Sequence, residues 1–341
     1  MVSDRLRDAA VTGAQYAIAV AALAWALSQT DPAAAFGLVA GLDAGTVVAV
    51  LAVTVVGLLA RFSTWQATLR PIAPTDVRTA GSVDLVVNFV NQLLPSRLTG
   101  RLAAPFVLRS KVGISYADAT AVSGVHTALY ALLYGVVALV GLAVAVDRLP
   151  TGLALLLALS IALYLAAGTA VLAFGTNLDR LNWLFAVLTG LLARVPRVGE
   201  RLAERATEAV SFTANSRDAF RALAGDSGVW ARYTAGWLGA LVLAPGVRVA
   251  LLLSAFGAPF EPVALLPLYL VAAYSVTLLP LTPGGLGVTE ATTTAVFVAL
   301  GVPSAAIVPV VFVDRFLGVY LPALAGWYPS LGIDRASLQS D

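Results

Sequence analysis

Residues 278–290 read LLPLTPGGLGVTE, a run of helix breakers set between apolar segments that otherwise pattern as membrane helices. Pro280 and Pro283 have no amide hydrogen to donate, and Gly284, Gly285 and Gly287 allow backbone angles that other residues resist. The chain must leave the helix here. In hydrocarbon an unpaired amide or carbonyl costs several kcal/mol, so irregular backbone at that depth persists only inside protein or beside a water-filled cavity. The stretch is therefore a candidate site, with Pro280, Pro283, Gly284, Gly285 and Gly287 as its hinge. Thr289 is placed to cap the helix that follows, and Glu290 puts a carboxylate in its first turn.

Working outward, the 341 residues are 59% hydrophobic and 12% charged, with mean hydropathy +0.88. Soluble domains carry roughly 25% charged residues, so the composition reads as an all-α polytopic membrane protein. A net charge of +2, dispersed along the chain, gives no footprint for nucleic acid. There is no cysteine and only one histidine, His126, which excludes disulfides, thiolate metal sites and clustered-histidine metal sites. Lys111, the only lysine, stands in no phosphate-loop pattern, and no cofactor is expected. With no nucleophile motif either, the chain is not expected to be an enzyme.

Apolar runs at 11–28, 46–60, 118–146, 152–174, 229–256 and 305–328 predict six full spans. Basic residues follow the second run at Arg61, Arg70 and Arg78, whereas 31–45 has none, which predicts that both termini are cytoplasmic. The region 80–110 splits at Leu94-Pro95-Ser96-Arg97 into two pieces shorter than a span, with Arg78 on one flank and Arg109 and Lys111 on the other. It predicts a re-entrant hairpin entering from the cytoplasm. The stretch 257–304, which carries the opening motif and no Lys or Arg, predicts a second hairpin from the other side. Between them, 177–228 is a polar linker whose Arg197/Glu200, Arg201/Glu204 and Arg205/Glu208 pairs predict a cytoplasmic amphipathic helix. Eight straight-through spans are the rival arrangement.

The hairpins look related. Leu93-Leu94-Pro95 matches Leu278-Leu279-Pro280, and Gly113-Ile114-Ser115 matches Gly301-Val302-Pro303, at offsets of 185 (278 − 93) and 188 (301 − 113). Two units follow, 46–146 and 229–328, each a span, a broken hairpin and a span, with opposite topology from charge placement. Inverted repeats with discontinuous helices are a transporter architecture, and their interrupted segments mark the site. Pro95 and Gly100 are the hinge of the first unit.

Arg97 and Arg101 flank Gly100 where the first hairpin resumes; planar guanidinium forks beside free helix amides suit a phosphate, and interfacial snorkelling is the plainer alternative. Asp314 and Arg315 sit within the last span, where a charge costs ~2.5–3.5 kcal/mol and must face protein. They are candidate substrate-binding residues or parts of an ion-pair lock, for instance Arg315 with Glu290. Asn88 and Asn91 before the first break can bond a headgroup or a neighbouring helix. His126 reads as a core histidine, and Arg248 is a further intramembrane charge without an assigned role.

With these residues in view, the chain resembles the transmembrane, flippase-like domain of lysylphosphatidylglycerol synthases. The matching features are Asn91-x-x-Leu94-Pro95-x-Arg97-x-x-Gly100, then Pro280-x-x-Pro283-Gly284-Gly285-Leu286-Gly287-Val288-x-Glu290, Gly301-Val302-Pro303 and Arg315. The family commonly has Gly-Glu where Gly100-Arg101 stands and an acidic-basic pair near His126; without the first acid, a cationic aminoacyl-lipid headgroup is disfavoured. The resemblance implies a stand-alone member with no aminoacyl-transferase domain, in a prokaryotic plasma membrane. It also implies movement of an anionic phospholipid or lipid-linked saccharide between leaflets. Substrate-binding residues would then be Asn91, Arg97, Arg101, Glu290, Asp314 and Arg315, with membrane lipid as the partner. The alternative is a non-catalytic scaffold for a lipid-linked glycosyltransferase or another membrane enzyme, docked through 194–221.

Overall fold

A computed structural model describes residues 2–93, 103–177, 216–279 and 281–331, with side chains from 13 onward except that of Leu93. The elements are α1 (Val2–Ser28), α2 (Pro32–Ala40), α3 (Ala44–Leu69), α4 (Val77–Leu93), α5 (Ala104–Val112), α6 (Tyr116–Ala145) and α7 (Thr151–Thr176). After the linker come α8 (Ser227–Ala255), α9 (Val263–Leu278), α10 (Val288–Ala299) and α11 (Ser304–Ser330). Every described regular element is helical. Polar residues fix the helix starts: Asp43 Oδ1 accepts from the Thr46 amide at 3.0 Å to open α3, Ser115 Oγ from Asp118 at 3.1 Å to open α6, and Asp226 Oδ1 from Gly228 at 2.7 Å to open α8. Gly113, at φ 74°, ends α5 in the left-handed conformation.

Among the described residues, α3, α6, α7, α8 and α11 are long and apolar enough to cross a membrane, and α1 adds the apolar stretch Gly13–Ser28. Side chains such as Val48, Val56, Leu155 and Leu324 stay exposed on their outer faces, which suits hydrocarbon. Between the long helices lie shorter ones: α4 with 17 residues, α5 with 9 and α10 with 12. At 1.5 Å per residue these run about 25, 14 and 18 Å, less than a ~30 Å hydrocarbon core. The stretch 31–45, which carries no basic residue, contains α2, capped by Asp31 and started by Pro32.

One expectation needs correction. Arg61 was placed at the end of its span, but α3 continues to Leu69, so Arg61 lies well inside the helix. Its side chain finds a carboxylate there, which removes the reason for the helix to stop.

Glycines set the closest helix contacts. A Cβ on Gly57 would lie 2.6 Å from Ala244 Cβ, and one on Gly239 3.0 Å from Ala60 Cβ, so α3 and α8 cross antiparallel with backbones nearly touching. A Cβ on Gly141 of α6 would lie 2.2 Å from the Leu268 carbonyl of α9, and one on Gly326 of α11 2.0 Å from the Leu85 carbonyl of α4. Helix α9 thus packs on α6, the last long helix of the first unit, and α4 on α11, the last long helix of the second. Of the predicted linker, the described part includes a helical stretch at 216–225, where Phe220 and Leu223 are buried and Arg221 Nε donates to the Thr176 carbonyl at 2.7 Å.

Candidate functional site

The break foreseen at 278–290 is real: helix α9 stops at Leu278, Thr282 is extended, and a tight turn at Pro283–Gly285 precedes α10. Gly284, Gly285 and Gly287 have φ of 59°, 76° and 76°, values that a side chain resists. Neighbours close in on them. A Cβ on Gly284 would lie 2.0 Å from Gln92 Oε1 at the end of α4, and one on Gly287 2.2 Å from the Ala19 carbonyl of α1. This break therefore abuts the end of α4. Thr289 does not cap α10; the cap residue is Gly287, and the Thr289 hydroxyl instead donates to the Gly285 carbonyl at 2.8 Å. With a glycine already turning the chain, the hydroxyl falls two residues (289 − 287) past the cap position.

Glu290, in the first turn of α10, is fully buried, and Arg315, Asp314 and Arg248 are 2%, 3% and 4% exposed. Arg315 Nε donates to Glu290 Oε1 at 2.9 Å, and the Tyr320 hydroxyl donates to the same oxygen. Asp314 does not pair with its neighbour. Its Oδ1 takes Arg248, Nε at 2.8 Å and Nη2 at 2.6 Å, while Oδ2 accepts the Tyr274 hydroxyl at 2.6 Å. The Arg315 guanidinium lies 5.8 Å from the Tyr274 ring centre and 5.4 Å from that of Tyr320, so the two pairs interlock. Glu290 Oε2 and Arg315 Nη2 have no hydrogen-bond partner among the described residues.

Two proline-driven distortions open the helices beside this cluster. Pro245 and Pro322 lack an amide hydrogen and push on the carbonyl four residues back, those of Leu241 and Gly318. At both places the helix widens into a π turn, Gly239–Leu243 in α8 and Phe316–Tyr320 in α11. The released carbonyls of α11 are used: Gly318 accepts from Arg61 Nη1 at 3.1 Å and Val319 from Asn88 Nδ2 at 3.3 Å. Arg61 also grips Asp84 of α4, Nη2 to Oδ2 at 2.7 Å.

Along these turns run two cavities, of about 130 and 70 Å³, that share Arg61, Tyr130, Leu241 and Gly318 in their walls. The larger is walled by Asp84, Asn88, Asn91 and His126, the smaller by Arg248, Tyr274, Asp314 and Arg315. Asn91 Oδ1 makes no hydrogen bond among the described residues. His126 stacks on Trp65 at 3.7 Å and accepts the Tyr233 hydroxyl at its carbonyl, as a packed core histidine does.

Of the residues singled out from sequence, Glu290, Asp314 and Arg315 come together, and Asn91 lines the neighbouring cavity. Pro283, Gly284, Gly285 and Gly287 form the break. Pro95, Arg97, Gly100, Arg101 and Pro280 lie outside the described residues. Sequence reasoning missed Arg61, Asp84, Tyr274 and Tyr320 and left Arg248 unassigned. A signal for two of them existed: Arg61 and Arg248 are 187 residues apart (248 − 61), within the offsets read from the motifs. Chemically, three guanidinium groups and three carboxylates pair off inside the bundle, and an entering phosphate can replace any one carboxylate on its arginine. Among the described residues no three Asp, Glu or His side chains are grouped to hold a metal.

A family model described as the lysylphosphatidylglycerol synthase TM region matches residues 14–326. Comparison with curated proteins gave no match, and neither did comparison with solved structures.

Proposed function

Because the chain belongs to the lysylphosphatidylglycerol synthase transmembrane-region family, a membrane lipid-related family of multi-pass proteins, we propose that it moves an anionic, phosphate-bearing lipid or lipid-linked saccharide between leaflets. The observation that carries this reading is the buried cluster of Arg248, Asp314, Arg315 and Glu290 beside a cavity, with Arg315 Nη2 lacking a hydrogen-bond partner among the described residues. Uncompensated hydrogen-bonding capacity is costly at this depth and has value where a charged group passes. In this reading the headgroup follows the two adjoining cavities while the acyl chains stay in the bilayer.

Alternating exposure of such a site needs two related halves. Gly57 and Ala244 approach each other across the α3–α8 crossing and are 187 residues apart (244 − 57), which fits a two-fold axis running through that contact. Gly141 on Leu268 and Gly326 on Leu85 form a second matched pair, 185 (326 − 141) and 183 (268 − 85) residues apart. The antiparallel crossing supports inverted halves, with the Arg70 and Arg78 end in the cytoplasm. In this reading Arg315 and Arg248 take the phosphate in turn, and Glu290 and Asp314 hold each guanidinium when it is empty. Arg315→Ala and Glu290→Ala, expressed and folded normally, should abolish translocation of labelled phosphatidylglycerol by reconstituted protein; unchanged rates would overturn the mechanism.

A further inference from the structure

The larger cavity holds an arginine that the deep cluster does not use. Arg61 lies eight residues from the end of α3 (69 − 61), about 12 Å along the axis, and Arg248 seven from the opposite-facing end of α8 (255 − 248), about 10 Å. Each follows by four residues one member of the touching pair Gly57 and Ala244. The two arginines therefore lie at similar distances from the opposite-facing ends of the crossed helices, and both reach Gly318 of α11. Arg61 differs in access: its side chain is 18% exposed, against 4% for Arg248.

Its surroundings are built for more than an ion pair. Asp84 binds one edge of the guanidinium, and among the described residues Nη1 reaches a backbone carbonyl, released by the π turn. Asn88 and Asn91, one helical turn apart on α4, line the same cavity, and Asn91 Oδ1 is buried without a hydrogen bond among the described residues. We propose that Arg61, Asn88 and Asn91 form a second phosphate site, near the Arg70 and Arg78 end, with Asp84 as the displaceable counter-ion. Resting on the function proposed above, this adds Arg61 to Arg315 and Arg248 as a third guanidinium along the path. The ligand is a phosphate ester, carried by a lipid or free in solution. An amide-rich wall accommodates the ester and hydroxyl oxygens around the phosphate; a bare ion-pair staple between α3 and α4 has no use for it.

Two readouts on the full chain test the site. The first titrates inorganic phosphate into detergent-solubilised protein and follows the fluorescence of Trp65 and Trp237, which line the cavity. Saturable binding should weaken about tenfold or more in Arg61→Gln, the loss expected for a charge-assisted hydrogen bond. The second follows labelled phosphatidylglycerol in unilamellar vesicles holding protein in one orientation. Arg61→Gln should raise the half-saturating lipid fraction for transfer out of the leaflet at the Arg70 and Arg78 end, and leave transfer from the other leaflet unchanged. Arg61→Gln with Asp84→Asn removes both charges and should show the same one-sided defect, which a loss of packing alone would not give. Arg61-dependent phosphate binding with no one-sided lipid defect would keep the site and assign it to a soluble phosphate. Phosphate binding and leaflet saturation both indifferent to Arg61 would overturn the site, while the Arg315 and Glu290 variants judge the lipid-moving function separately.

Discussion

Consider replacing Arg315 with methionine. The arginine is 2% exposed and its partner Glu290 fully buried, so the substitution strands a carboxylate whose Oε1 keeps only the Tyr320 hydroxyl and whose Oε2 has no partner among the described residues. Removing one member of a buried pair costs ~3–5 kcal/mol, most of it the uncompensated charge left behind. The lost contacts with the Tyr274 and Tyr320 rings add to it. Glu290→Gln alone strands the arginine and should cost a similar amount. In the double variant Glu290→Gln with Arg315→Met no charge is left, and because uncharged replacements of buried pairs are often neutral, most of the stability should return. Unfolding in detergent under increasing denaturant measures the three variants, and vesicle transfer of labelled phosphatidylglycerol measures their activity. The expected result is a double variant that is stable and inactive. A double variant as unstable as either single one would refute the electrostatic reasoning, and one both stable and fully active would reduce the pair to a structural lock.

Other outcomes follow from single contacts. Gly326→Ala pushes a methyl into the Leu85 carbonyl, which as backbone cannot step aside, and should lower the unfolding temperature markedly, by overpacking worth ~1–3 kcal/mol; Gly13→Ala, with nothing near it, should be neutral or stabilising in the same melt. Tyr274→Phe removes the hydroxyl that bonds Asp314 at 2.6 Å and should cost ~1.5–3 kcal/mol in denaturant titration, less than Arg248→Met, which strands the same carboxylate. At the start of α3, the Thr46 hydroxyl and amide hold the Asp43 carboxyl below its ordinary range. The cap should thus be intact above the unfolded carboxylate's value and be lost as pH falls through the lowered one, which carboxyl carbon NMR of Asp43 would follow.

The break at 278–290 was legible because glycine and proline act locally. The sequence of 278–290 dictates irregular backbone whatever surrounds it, and the glycines there do take left-handed angles. Burial of Asp314 and Arg315 was legible too, since charges inside an apolar run have nowhere else to go. Their partners were not. Arg248 meets Asp314 across 66 residues of sequence, and Arg61 meets Asp84 only because α3 runs past the charge that seemed to end it. Pro245 and Pro322 lie inside runs read as full spans, and the widened turns they make are not legible there; that the α11 turn's carbonyls serve Arg61 and Asn88 is visible only once α3 and α4 are packed alongside.

Most direct of all is a comparison of two lipids in vesicles with and without the purified wild-type protein. Labelled phosphatidylglycerol should change leaflets much faster with protein present, while a labelled neutral glycolipid lacking phosphate should show little gain. Phosphatidylglycerol moving no faster than in protein-free vesicles would contradict a headgroup path through the arginine-lined interior.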